Sequence, residues 1–194
     1  MSRKSSAYAL VEDKRQKQFI YRFLLHAGFN RDKIRVDVSP PGDGSAKKWV
    51  CDQFALQVQV CRRRGARTST CLFAMMDADQ LAVTKCMGDL DSALGKANQP
   101  KLDPTRDPIA RLIPKWSIET RILYLSSGGA VDPLVTEDKS YKDSKAPDAW
   151  TELISQASEV LYAWTRKTAV LPDNLIGSLR LGLQEIPRAL PVER

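Results

Sequence analysis

Four short apolar segments are separated by longer segments of mixed polarity. Residues 7–11, 71–76 and 109–113 are continuous apolar runs or nearly so, and residues 34–38 alternate between apolar and polar. A short continuous apolar run is typical of a strand buried on both faces of a parallel sheet, whereas alternation indicates a half-buried strand. The pattern therefore predicts four strands.

Between and after these segments, apolar residues recur at helical spacing, as at Phe19, Ile20, Phe23 and Leu24 before the stop at Gly28. The same spacing predicts helices over about 14–27, 46–64, 81–97, 118–125, 148–166 and 173–186. In the second of these helices the residues predicted to face inward are Val50, Phe54, Leu56, Val58 and Cys61.

Strands that alternate with helices predict an α/β fold: a Rossmann-like, mainly parallel four-stranded sheet with helices on both faces. The first and third strands of such a sheet are usually neighbours at its switch point. We expect residues 1–127 to form one α/β domain. We expect residues 128–194 to add a loop and C-terminal helices that pack on the same domain.

Three carboxylates lie where two of the predicted strands end. Glu12 follows the first strand, and Asp77 and Asp79 follow the third. If these strands are neighbours, the three side chains converge without a basic residue in the same motifs, which is costly unless a cation neutralises them. Hard cations such as Mg²⁺ take oxygen ligands of this kind. In the alternative interpretation, Glu12 caps the first helix and the Asp pair caps the third.

The chain carries 30 Lys and Arg against 23 Asp and Glu, a net charge of +7. This excess permits a polyanionic partner without demanding one. Nucleic acid is favoured over membrane, because no basic amphipathic helix with a lipid-seeking aromatic face is evident. The excess is concentrated in the second quarter of the chain. The residues predicted to contact nucleic acid are Lys47, Lys48, Arg62, Arg63, Arg64 and Arg67. In the alternative interpretation the arginines are a solvated helix end.

Other function classes are disfavoured by the composition. One histidine, His26, and four cysteines without CxxC spacing nearly exclude a Cys/His metal site or a histidine-based triad, and they favour buried thiols over disulfides. No apolar stretch approaches the roughly 20 residues that cross a bilayer. We therefore expect a soluble cytoplasmic protein.

Two groups of motifs resemble a Toprim domain, the catalytic module of topoisomerases, bacterial primases, small nucleases and OLD-type defence nucleases. Leu10-Val11-Glu12 and Met76-Asp77-Ala78-Asp79 are similar to the family's strand-terminal Glu and DxD, which hold Mg²⁺ for phosphoryl chemistry. Ile113-Pro114 followed by Ile118-Glu119-Thr120 resembles the stand-alone Toprim-like proteins related to RloB and other phage-defence components. The resemblance covers roughly residues 6–126.

The resemblance implies a nuclease that hydrolyses phosphodiester bonds in DNA or RNA, with Glu12, Asp77 and Asp79 as ligands of Mg²⁺ or Mn²⁺. It also implies a role in antiviral defence as the effector subunit beside an ABC- or AAA-type ATPase partner. Glu119, in a helix first turn, is a further metal-site or outer-shell carboxylate, although a carboxylate there also favours the helix dipole. Lys115 and Lys142 are candidates to stabilise charge on the phosphate, against the commoner outcome of a solvated lysine.

Three residues depart from the family pattern. Asp13 replaces the Gly that usually follows the Glu, and Gln16 stands where a second acid is usual, which puts a second metal site in doubt. Arg121 replaces an aromatic, which predicts either weaker packing or an added phosphate contact. These departures support an alternative function: a non-catalytic module that binds nucleic acid or a partner through a degraded metal site.

Overall fold

A computed structural model describes most of the chain: residues 6–42, 44–64, 70–128, 135–144 and 146–190. Within these ranges strands and helices alternate and are followed by helices alone. The elements are β1 Ser6–Val11, α1 Lys14–His26, β2 Ile34–Val38, α2 Ala46–Arg64, β3 Thr70–Met75, α3 Val83–Lys96, β4 Ile109–Leu112, α4 Ile118–Ser126, α5 Trp150–Thr165 and α6 Gly177–Ala189, with short 3₁₀ turns at Arg31–Lys33 and Pro147–Ala149.

The four strands of the described residues form one parallel sheet in the order β2-β1-β3-β4. β1 and β3 are neighbours, with Leu10 opposite Ala74. The chain winds outward from this pair in both directions, so the switch point lies between β1 and β3, where the carboxyl ends of the strands open a crevice. The predicted α/β fold with a mainly parallel four-stranded sheet is confirmed, and all three strand pairings among the described residues are parallel.

Side chains alternate between the two faces of the sheet. Ala9, Phe73 and Leu112 pack with α1, α4, α5 and α6, and Phe23 of α1 meets Phe73 edge to face with ring centroids 6.1 Å apart. Leu10 and Leu72 pack on the other face with α2 and α3. Both faces are therefore covered, as the continuous apolar runs of the strands require.

The helix ends show which carboxylates act as caps. Asp13 caps α1, because its Oδ1 accepts a hydrogen bond from the Gln16 N–H at 2.8 Å. Ala82 precedes α3 and makes no side-chain cap bond. The interpretations of Glu12 and of the Asp77/Asp79 pair as caps are therefore wrong, and these side chains are left for other contacts. The inward assignment of Leu56 is also wrong, since 54% of it is exposed.

The last two helices pack against the face of the sheet that α1 and α4 cover. Ile154 of α5 and Leu179 of α6 are fully buried in that core. A polar contact reinforces the packing of α6 on β4: Glu185 accepts a hydrogen bond from the Arg111 N–H at 2.7 Å and pairs with its guanidinium at 2.5 Å. Among the described helices, none is both long and apolar enough to span a membrane.

Candidate functional site

Glu12 and Asp77 meet at the carboxyl ends of β1 and β3. Because these strands are neighbours in parallel register, the residues that follow them emerge side by side. Glu12 Oε2 accepts a hydrogen bond from the Asp77 backbone N–H at 3.2 Å. The predicted convergence of these two acids is therefore confirmed.

Gln16 links the two acidic loops. Its Oε1 accepts a hydrogen bond from the Glu12 N–H at 3.0 Å, and its Nε2 donates to Asp77 Oδ1 at 2.9 Å. The side chain is fully buried on the first turn of α1. Gln16 thus orients the Asp77 carboxylate and contributes no charge of its own.

Both acids are held where ionisation is costly. Burial raises the pKa of the Glu12 carboxyl from its ordinary value of 4.5 to about 7; Asp79 and Asp13 add to the rise, whereas the Asp77 N–H and the Lys47 ammonium oppose it. Asp77 is only 5% exposed. Burial, followed by the negative charges of Glu12, Asp13 and Glu119, raises its pKa well above the ordinary value.

Oxygen atoms in this cluster lack hydrogen-bond partners. Glu12 Oε1 is buried and accepts no hydrogen bond, and the same holds for Oε2 of Glu119. Buried acceptors are usually satisfied, because leaving one unpaired costs about 1–3 kcal/mol. Unpaired carboxylate oxygens at a sheet switch point are suited to a ligand that carries positive charge.

Glu119 joins the cluster from the first turn of α4. It is 1% exposed, and its Oε1 pairs with the guanidinium of Arg15 from α1. Arg15 in turn stacks on the ring of Trp150, 4.7 Å from its centroid. The charge of Glu119 acts on Asp77, but one of its oxygens is committed to a cation of the protein, and its role as a metal-site or outer-shell carboxylate stays a prediction. The sequence analysis did not identify Arg15.

Asp79 lies at the rim of the cluster and differs from its neighbours. Its side chain is 64% exposed, and its Oδ2 lies 2.5 Å from Nζ of Lys47, which comes from the first turn of α2. No basic residue stands in the acidic motifs themselves, but α2 brings Lys47 to the rim, which motif spacing could not show. The ammonium also acts on Glu12, since its charge opposes the rise in the pKa of that carboxyl.

The two lysines proposed to contact phosphate occupy different places. Lys115 Nζ donates to the backbone carbonyls of Asp79, Gln80 and Leu81 at 3.2, 3.1 and 2.7 Å, so it braces the loop after β3. Lys142 is exposed. No hydrogen bond or ion pair joins Lys142 to an acid of the site within the part of the chain that the structure describes.

Arg121 is not a phosphate contact, because it is only 1% exposed. Its Nη2 donates to the carbonyl and hydroxyl oxygens of Ser178 at 3.1 and 3.3 Å, while Nε and Nη1 find no partner. Burial lowers the pKa of the guanidinium to about 10, against the opposing charges of Glu137 and Asp77. The prediction of an added phosphate contact is therefore wrong, because α6 covers this side chain.

Of the residues predicted to bind nucleic acid, those whose side chains the structure describes make separate contacts and do not form one surface. Lys48 is exposed and pairs with Asp52 at 2.8 Å. Arg62 pairs with Asp107 at 2.7 Å and donates to the carbonyls of residues 100 and 101, so it fixes the loop before β4. Arg63 is exposed on the same helix. The side chain of Arg64 and the whole of Arg67 lie outside the described residues.

Open clefts flank the acidic cluster on either side. One, of about 920 Å³, lies between the start of α1 and the loop after β2, and it contains Glu12, Lys14 and Lys17. The other, of about 630 Å³, lies between α2 and α3, and Lys47 is at its edge. The sequence analysis missed Lys14 and Lys17, whose only signal was their position directly after the first strand. Of the acids in the cluster, Glu12 lines the first cleft and none lines the second.

The arrangement of the acids limits the kind of metal site that they could form. Over the described ranges, no group of three or more His, Cys, Asp or Glu side chains has the arrangement to hold one. Glu12 and Asp77 still offer two adjacent carboxylates, one with an unpaired buried oxygen. Mg²⁺ usually keeps several waters and takes one or two protein carboxylates together with substrate phosphates. The residues therefore fit a hydrated ion held by two acids but not an all-protein cage.

The fold and the site together define an α/β protein with a buried acidic pair at the switch point of a parallel sheet. Comparisons with protein-family models, with curated proteins and with solved structures found no match for the chain.

Proposed function

We propose that the protein is a Mg²⁺- or Mn²⁺-dependent nuclease that hydrolyses phosphodiester bonds in DNA or RNA. The observation that carries the proposal is the contact between Glu12 and the Asp77 backbone N–H: it brings a half-buried carboxylate with one unpaired oxygen beside a buried one, at the place where parallel sheets hold their chemistry. The Toprim-like motifs at the same two positions support it.

Each acid has a distinct role in this proposal. Glu12 and Asp77 hold the divalent cation, which supplies Lewis-acid stabilisation of charge on the phosphate when bound. Gln16 keeps Asp77 in place through the bond to its Oδ1. Glu119 is neutralised by Arg15 through one of its oxygens, so only its other oxygen is left for the site formed by Glu12 and Asp77. Asp79 is the outermost acid and meets the incoming substrate first.

One of the two clefts accounts for substrate access. Lys14 and Lys17 line the cleft that contains Glu12, so a polyanion that enters this cleft meets positive charge beside the carboxylate. In the reaction, water attacks the phosphorus, the bond from phosphorus to one ester oxygen breaks, and that oxygen takes up a proton. Arg63, which is exposed on α2, stays a predicted contact to the nucleic-acid backbone.

The test is cleavage of fluorescently labelled single- and double-stranded DNA and RNA in Mg²⁺, in Mn²⁺ and in EDTA. D77N preserves the acceptor that Gln16 uses but removes the charge, so we expect its cleavage to fall at least 100-fold while the melting temperature is retained. D173N is the matched control, because Asp173 is exposed before α6, and it should cut like the wild type. Cutting by D77N at the wild-type rate, or no cutting of any substrate, would refute the proposal.

A second function is favoured by one observation: the described acids do not form a group of three that could hold a metal, and Gln16 fills the place of the expected acid. The chain would then be a binding module for nucleic acid or for a partner protein. Titration of Mg²⁺ and Mn²⁺ against the melting temperature separates the two functions, because a ligand that binds only the folded chain raises it. No rise up to several millimolar metal would favour the binding module.

A further inference from the structure

One face of α1 forms a wall of the cleft that contains Glu12. The residues of the helix that line this cleft are Lys14, Lys17, Gln18 and Tyr21. They occupy positions i, i+3, i+4 and i+7, which lie on the same face of a helix. Lys14 begins α1 beside Glu12, and Tyr21 lies about 10 Å further along the axis at roughly 1.5 Å per residue. The wall therefore runs from the acidic pair to an aromatic side chain.

The two lysines of this wall are available to an external anion. Both are exposed, and neither forms an ion pair within the part of the chain that the structure describes. The acids that share the cleft have other contacts: Asp13 caps α1, and Glu12 accepts a hydrogen bond from the Asp77 N–H. The cleft thus presents two ammonium groups that no described carboxylate pairs with.

The aromatic end of the wall takes no part in the packing of the fold. Tyr21 is half-buried, yet among the described residues it packs in neither of the cores on the two faces of the sheet, whereas Tyr8 and Tyr162 do. An aromatic ring that lines a cleft outside the core can stack on a nucleobase of any sequence.

The opposite wall is apolar and is attached beside the acids. Val38, at the end of β2, and the exposed Pro40 and Pro41 of the following loop line the cleft. The Ser39 N–H donates to the Val11 carbonyl at 3.0 Å, which ties this loop to the last residue of β1. The volume of about 920 Å³ lies within the range of roughly 300–1,000 Å³ typical of ligand pockets, so the cleft has room for a nucleotide.

We propose that this cleft binds single-stranded nucleic acid: Lys14 and Lys17 contact its phosphates, and Tyr21 stacks on an unpaired base. The strand then passes Glu12. This inference rests on the proposed function, because it names the substrate class of that site. An unpaired base can enter a cleft and stack on a side chain, whereas the bases of a duplex are already stacked on one another.

The remaining basic residues do not favour a duplex. A duplex carries its phosphates on a broad surface and needs positive charge spread over a matching surface of the protein. On α2, however, Lys48 pairs with Asp52, and Arg62 pairs with Asp107. The charge and the apolar walls are thus better matched to one strand in the cleft.

Fluorescence anisotropy in EDTA, where no metal-dependent cleavage occurs, tests the inference with labelled single strands of DNA and RNA and with their duplexes. The wild type should bind the single strands about tenfold more tightly than the duplexes. Y21A should keep its melting temperature and bind the single strands about 5- to 100-fold more weakly, whereas Y21F, which keeps the ring, should bind like the wild type. K14M and K17M should each reduce the slope of log affinity against log salt by about 0.7. K167M is the control for charge and should leave the slope unchanged, because Lys167 is exposed after α5 and lines neither cleft.

A single strand with abasic sites in place of its bases separates stacking from damage to the fold. It keeps the phosphates, so Y21A should bind it as tightly as the wild type does. If Y21A loses affinity for both strands alike or for neither, or if the wild type prefers the duplexes, the inference is refuted, and cleavage by the wild type in Mg²⁺ or Mn²⁺ leaves the proposed function standing. If the wild type cuts no substrate, the proposed function is refuted, and a loss of single-strand binding confined to Y21A and the base-bearing strand would still support the cleft as the binding site.

Discussion

Replacing Glu12 with Gln should stabilise the metal-free protein above neutral pH. The glutamine keeps an oxygen that can accept the Asp77 N–H, but it carries no charge at any pH. Glu12 is a carboxyl whose folded-state pKa is raised to about 7 by burial. The folded chain has the full stability contribution of such a carboxyl at low pH, where the group is protonated in both the folded and the unfolded chain. Stability is lost as pH rises from the ordinary pKa of 4.5 through the folded value near 7, because the unfolded chain ionises first.

The size of the effect follows from the same shift. A rise from 4.5 to about 7 corresponds to roughly 3 kcal/mol at about 1.4 kcal/mol per pKa unit. Since Glu12 is partly reached by solvent, screening reduces this to about 2 kcal/mol. The substitution also removes one of the charges that raise the pKa of Asp77, which acts in the same direction. For a chain of this length, about 2 kcal/mol is roughly 4–8 °C in melting temperature.

The measurement is thermal and urea unfolding in EDTA from pH 4 to pH 9. E12Q should match the wild type near pH 4 and exceed it by about 2 kcal/mol at pH 8. E159Q is the control, because Glu159 is exposed on α5 and its removal should leave the pH profile unchanged. If E12Q is no more stable than the wild type at pH 8, the carboxylate is not buried in the way described.

Three further predictions concern the framework of the site. F73A should lower the free energy of unfolding by about 3–5 kcal/mol in urea, because the ring is fully buried against Phe23. R62A should cost about 1–2 kcal/mol by the same assay, since the Asp107 carboxylate, which is 8% exposed, keeps the Asp103 N–H but loses its ion-pair partner, whereas R63A should change stability by less than about 0.5 kcal/mol. Burial raises the pKa of the Cys51 thiol from 9.0 to about 11, so iodoacetamide at pH 8 should alkylate it about 100-fold more slowly than an ordinary thiol, as followed by peptide mass spectrometry. Equal losses for R62A and R63A, or alkylation of Cys51 at the ordinary rate, would contradict the described contacts.

The four strands of the sheet could be predicted because each strand has a strong local signal. The continuous run Cys71–Met76 is apolar on both faces, and both faces are covered. The neighbourhood of β1 and β3 followed from the general winding of α/β sheets, and it placed Glu12 beside Asp77 before any coordinates were used. The proximity of Glu12 and Asp77 could therefore be predicted from rules about backbone topology.

The side chains that other elements bring to the acids could not be predicted in the same way. Lys47 from α2 and Arg15 from α1 reach the site through helix packing, which sequence spacing does not reveal. Arg121 looked accessible at a helix start, but the later helix α6 buries it. Local pattern identifies an element and its inward face, whereas contacts between side chains of distant elements depend on the packed structure.

Titration of Mn²⁺ into the metal-free chain, followed by electron paramagnetic resonance or calorimetry, decides whether Glu12 and Asp77 form a cation site. The wild type should bind one ion at micromolar to low millimolar concentration, whereas E12Q and D77N should bind at least tenfold more weakly and D173N like the wild type. Equal binding by the wild type and both site variants, or no binding by the wild type up to several millimolar Mn²⁺, would contradict the assignment.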